Sequence, residues 1–269
     1  MPHILALTLA PETRAVLYSV AKILFIIFIV GSFINVAVYS VGRVREGRLF
    51  DPAHVPLPIK IQPPFTGWIF VVCVIGFIYM QSVLFPIMVM FGVGMAALQG
   101  DQTLEHQFGF DRLRPGRALR YALFVFGAVV LVVTPLNEAW SQTLDYFHLD
   151  HPDQLSVQTF RSYTKTAVIV SFMLQAVIFN PIIEELFFRG FLLTFLRNYT
   201  SASAAIILSA GVFAFAHLNL GAAIPLWFFG IVLGLAYEHT GSLLVPISVH
   251  ALFNLATGLS LLVDKGNPT

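Results

Sequence analysis

The chain has 269 residues, of which 57% are hydrophobic and only 11% charged, and its mean hydropathy is +0.81. Soluble domains carry roughly 25% charged residues, so this composition excludes a soluble enzyme and fits an all-α, polytopic integral membrane bundle. A net charge of +1 leaves no electrostatic footprint for nucleic acid, and a single cysteine, Cys73, excludes an internal disulfide or a thiolate metal site.

The first long apolar run extends from about Ile23 to Val41 and ends in Gly42-Arg43-Val44-Arg45-Glu46-Gly47-Arg48. Basic residues after the run, rather than before it, argue for a retained span with its C-terminal end in the cytoplasm. Five prolines, Pro52, Pro56, Pro58, Pro63 and Pro64, then make Leu49 to Pro64 a cytoplasmic loop, because proline removes the helical N–H donor. The apolar run from Thr66 to Leu98 is long for one span of about 20 residues and short for two. Arg112, Arg114, Arg117 and Arg120 lie beyond it, and keeping both basic loops cytoplasmic favours two short spans turning between Gln81 and Pro86, with one tilted helix as the alternative.

Ala118 to Leu136 is the next span. The polar stretch from Asn137 to Lys165 has an acidic excess that suits the non-cytoplasmic side, and it reads as a partly amphipathic cover over the membrane domain. His148 and His151 within it are solvated loop residues rather than metal ligands. The remaining runs are Thr166 to Leu196, Ser203 to Leu218, Ala222 to Tyr237 and Gly241 to Val263. Turns at Arg197 to Thr200, Asn219 to Gly221 and Glu238 to Thr240 separate them, giving seven or eight helices in all.

Charge at bilayer depth is costly, so the ionisable residues inside these runs are the candidates for function. Glu184, Glu185 and Arg189 lie in the run from Thr166 to Leu196. Glu185 and Arg189 stand four apart on one helical face and can neutralise each other, which leaves Glu184 over. Two later runs each bring a histidine: His217, with Phe213 four residues before it, and His250, with Asn254 four residues after it. Counted from the cytoplasmic ends of their runs, Glu184, His217 and His250 lie roughly 18, 21 and 13 Å deep at 1.5 Å per residue, within one layer of the bilayer. Pro181 and Pro246 precede the polar residues and are expected to kink their helices and free a carbonyl. A glutamate, two histidines and an asparagine at similar depth are the parts of a water-activating hydrolytic site.

Three motifs therefore stand in order: Glu184-Glu185-Leu-Phe-Phe-Arg189, Phe213-Ala-Phe-Ala-His217 and His250-Ala-Leu-Phe-Asn254. In this the chain resembles the CPBP family of intramembrane glutamic endopeptidases, the CAAX-processing and bacteriocin-processing group also described as ABI-type. The resemblance covers roughly Val168 to Val263. It implies an N-terminal region of transmembrane helices, residues 1–160, without a matching motif and ending in a polar loop, and a catalytic membrane core at residues 161–265. It further implies that Glu184 and His217 position and activate the attacking water, that His250 and Asn254 form the oxyanion hole, and that Glu185 and Arg189 brace the helix, with Phe213 walling the site. No cofactor is implied, and zinc is the less favoured alternative. The implied substrate is a membrane-associated or lipidated protein or peptide met within the lipid bilayer, and the compactness of the chain points to a prokaryotic plasma membrane. A non-catalytic immunity factor or assembly scaffold of the same fold, a zinc-dependent variant and a proton-relaying transporter are the competing readings.

Overall fold

The computed structural model describes residues 84–99, 103–197 and 199–265. The expected span from Ile23 to Val41, the proline-rich loop and Cys73 lie outside them, as does the first half of the run from Thr66 to Leu98. Eight helices make up the described residues, and no strand occurs among them. We number them α1 (Leu84–Gln99), α2 (Leu104–Gln107), α3 (Pro115–Tyr146), α4 (Leu155–Ser162), α5 (Thr166–Arg197), α6 (Ala202–Ala216), α7 (Ala223–Thr240) and α8 (Leu244–Lys265).

Four of them, α3, α5, α7 and α8, are long and apolar enough to cross a membrane. Their outward faces fit that setting: Leu123, Val170, Ile178, Leu235 and Leu259 are exposed, as are Ile87 and Phe91 of α1 and Ile207 of α6. Water would penalise so much continuous apolar surface, whereas lipid does not. The protein is an integral membrane helical bundle.

The interior is organised by α7, which packs on α6, α3 and α8, while α8 also packs on α3 and α5. Gly230 makes the α6–α7 approach possible, since a Cβ there would stand 3.0 Å from the Ala210 backbone. A train of aromatic rings then joins the helices: Phe85 to Phe187, Phe187 to Phe188, Phe188 to Phe213, and Phe229 stacked on Phe253 at 4.6 Å.

Two boundaries and one expected kink differ from the sequence reading. The helix expected to end at Leu136 continues through Pro135 to Tyr146. Proline deletes one hydrogen bond without stopping the helix, and beyond it Gln142 Nε2 donates to Glu138 Oε1 at 2.8 Å across one turn. Hydropathy marks where the apolar part of α3 ends; the helix itself runs on into the polar stretch. The turn expected at Glu238 to Thr240 falls later. Glu238 stays helical and pairs with Arg197 at 2.8 Å, and Gly241 ends α7 in the left-handed conformation, φ 63°, with its N–H on Tyr237 O at 2.7 Å. Pro246 produces no kink, because it sits in the first turn of α8, where backbone N–H groups have no helical acceptor in any case.

The segment between α3 and α5 folds back over the bundle. Trp140 Nε1 donates to Leu220 O at 2.8 Å, and Asn219 Nδ2 donates to Pro152 O at 2.9 Å. His151 bonds Asp145 at 3.0 Å, and Arg161 pairs with Asp153. The first two bonds tie α3 and the cover to the α6–α7 turn.

Candidate active site

The helix carrying both glutamates is not uniform. Within α5, Gln175–Phe179 and Leu186–Leu193 are π-helical, and Asn180–Glu185 is an α-helical piece between them. A π turn inserts one residue, about 100° of rotation for everything downstream, and such insertions are frequent at functional sites. In the first, the Asn180 N–H bonds Gln175 O, five residues back. At the end of the second, the Thr194 hydroxyl donates to Arg189 O at 3.2 Å.

Glu185 is fully buried. Its Oε1 accepts from Arg189 Nη1 at 2.7 Å and from His250 Nδ1 at 2.9 Å. Arg189, itself buried, donates from Nη2 to Gly230 O at 3.0 Å and lies over the Phe213 ring at 4.9 Å. A carboxylate paired with a guanidinium is an acceptor only, so the His250 proton sits on Nδ1. That turns Nε2 toward Glu184, whose Oε2 is 3.9 Å away. The Glu184 side chain is 17% exposed, and Oε2 is buried without a hydrogen-bond partner. The His250 imidazole thus lies between two adjacent carboxylates, of which Glu185 pairs with Arg189.

His217 caps the end of α6, and its Nδ1 donates to Phe213 O at 2.8 Å, which leaves the Nε2 lone pair available. Phe213 is fully buried and meets His217 edge-on at 4.8 Å and His250 at 5.9 Å; Phe229 meets His250 at 5.4 Å. Asn254 directs Nδ2 to Ala176 O at 2.8 Å.

Glu184, His217, His250 and Asn254 line one cavity of about 330 Å³. Phe172, Phe213, Phe229 and Phe253 supply its apolar wall, and Gln154 to Val157 with Phe160 supply a wall from the cover. Every motif residue named from the sequence therefore lines this cavity or touches a residue that does.

Residues 166–256, from the start of α5 into α8, match the family model described as Rce1-like, type II CAAX prenyl endopeptidase. Over this stretch, about a third of its length, the chain is similar to the CAAX protease family. No curated protein and no solved structure matches it. The segment of the CAAX protease match contains both glutamates, Arg189, both histidines and Asn254, so the family relationship and the cavity coincide in the same helices.

Two features of this cavity were not read from the sequence. One is the bond from His250 to Glu185, which spacing assigned wholly to Arg189. The signal was present in the chemistry: a carboxylate has room for about four hydrogen bonds, and a fully buried one needs more donors than one arginine provides. The other is the short helix Leu155–Ser162 inside the expected cover, whose Leu155 to Val157 and Phe160 wall the cavity together with Gln154. Among the described residues, no three His, Cys, Asp or Glu side chains are placed to share a metal ion.

Proposed function

We propose that this cavity hydrolyses a peptide bond of a membrane-associated or lipidated protein or peptide, using a water activated by Glu184. The observation that carries the reading is the position of the Glu184 carboxylate, unbonded at Oε2 and 3.9 Å from His250 Nε2 in a cavity that His217 and Asn254 also line. That separation is too long for a direct hydrogen bond and suits a bridging water.

Glu184 takes the proton as the water oxygen attacks the scissile carbonyl, and the His217 Nε2 lone pair holds the second hydrogen of that water. The carbonyl becomes a tetrahedral oxyanion. His250, when protonated at Nε2, and the second amide hydrogen of Asn254 are the donors that stabilise it, and Glu185 at Nδ1 stabilises the imidazolium. Loss of one such donor costs about 3 to 4 kcal/mol of barrier. Glu184 then returns its proton to the leaving amine. No step uses a metal. Phe172, Leu226, Phe253 and Leu261 line the remainder of the cavity and favour an apolar or lipid-bearing chain beside the scissile bond.

The test compares membrane proteins by mass spectrometry from cells with the native chain or Glu184→Gln. A C-terminal fragment made only by the native chain is the expected result. Cleavage that survives Glu184→Gln in purified protein rejects the mechanism.

A further inference from the structure

We infer that Asn254 and Pro181 form a lock that holds the π turn Gln175–Phe179 and thereby sets the direction of Glu184. Naming Glu184 as the base rests on the function proposed above; the lock itself does not. In a continuous α-helix the ring of Pro181 would press on the Val177 carbonyl, four residues back, and leave it without a donor. The π turn shifts the register and removes that conflict, because the Asn180 N–H goes to Gln175 O instead.

The shift leaves a different carbonyl without a backbone partner. The α-helical donor to Ala176 O is the Asn180 N–H, already used, and the π-helical donor is residue 181, a proline with no N–H. Within an apolar bundle an unpaired carbonyl is costly. Asn254 Nδ2, 78 residues further along the chain, donates to it at 2.8 Å.

The packing of α8 on α5 supports the same contact independently. Gly258, one turn beyond Asn254 on the same face, leaves room for Met173, whose Sδ would stand 2.5 Å from a Cβ at that position. Proline therefore disfavours the α register and the asparagine stabilises the π register. Downstream of this turn Glu184 is rotated by about 100° from where an unbroken helix would carry it. Asn254 is a positioning residue for Glu184 through this bond, in addition to the donor role proposed for its second amide hydrogen.

Thermal unfolding of the full chain in detergent tests the lock by a double-mutant cycle. Asn254→Ala leaves Ala176 O unpaired and lowers Tm by about 3 to 8 °C. In a Pro181→Ala background the new N–H at position 181 serves that carbonyl, and adding Asn254→Ala moves Tm by less than about 2 °C. An equal loss in both backgrounds overturns the inference. The direction of Glu184 is read separately, by labelling Glu184→Cys in a Cys73→Ala chain with a water-soluble methanethiosulfonate. Adding Asn254→Ala slows that labelling severalfold and leaves the labelling of His217→Cys unchanged. No slowing at position 184, or equal slowing at both positions, overturns the inference. Neither measurement requires hydrolysis, so loss of the protease reading and loss of the lock are distinguishable.

Discussion

Glu185 holds the ring of His250, with Oε1 accepting from Nδ1 at 2.9 Å across 65 residues of chain. The same oxygen accepts from Arg189, so this one carboxylate fixes both an imidazole and a buried cation. Glu185→Gln keeps an acceptor for His250 and removes the charge opposite Arg189. Breaking a buried pair from one side typically costs about 3 to 5 kcal/mol, and that loss is expected in denaturant unfolding. Replacing both partners, Glu185→Gln with Arg189→Gln, is expected to recover a substantial part of it.

Arg189→Ala is expected to reduce the yield of folded protein more than it changes the chemistry. The guanidinium joins α5 to α7 through Gly230 O and covers the Phe213 ring, and none of these contacts reaches the proposed reacting atoms. Size-exclusion profiles and melting temperatures give the readout. A stable but inactive Arg189→Ala protein contradicts the bracing role.

Glu184→Gln behaves in the opposite way. Glu184 Oε2 has no donor in the structure, so an amide of nearly the same shape changes Tm by no more than about 2 °C while abolishing cleavage. A large fall in Tm would show that Glu184 is a structural residue.

Phe213→Leu is expected to lower both stability and cleavage rate. It deletes the ring that meets His217 and His250 edge-on and lies under Arg189, interactions worth about 0.5 to 2 kcal/mol each. Unfolding and initial rates, measured on one preparation, check the two effects.

Outside the spans, Asp111 provides a pH signature. The hydrogen bond from His106 holds its carboxyl below the usual carboxylate range. A group whose value is lower in the folded protein contributes stability above its ordinary value, near pH 4, and that contribution disappears as pH falls through the folded value. Asp111→Asn is expected to flatten the acid side of a stability–pH curve and leave the curve above about pH 6 parallel to that of the native chain. Both groups are exposed, so the effect is small.

The sequence made certain parts of this arrangement legible for physical reasons. Charge is so costly in lipid that Glu184, Glu185 and Arg189 stand out at once, and i,i+4 geometry pairs two of them. Depth counting brings His217 and His250 to the same layer because rise per residue is nearly constant. Azimuth is another matter. Each π turn in α5 rotates the downstream helix by one residue's worth, and nothing in Gln175–Phe179 or Leu186–Leu193 announces it except Pro181, which a sequence shows equally well as a simple kink. The end of α3 was misplaced because hydropathy reports the solvent around a helix and not its hydrogen bonds. Pro246 was misread because its effect depends on where α8 starts, a boundary that the turn at Gly241 decides.

The cover from Gln154 to Phe160 borders the cavity without contributing to any of the four candidate spans. One wall of the chamber is therefore separate from the long apolar helices. Insertions or exchanges in this short piece are expected to reshape one wall of the chamber while the helices that carry the acid and the imidazoles stay as they are.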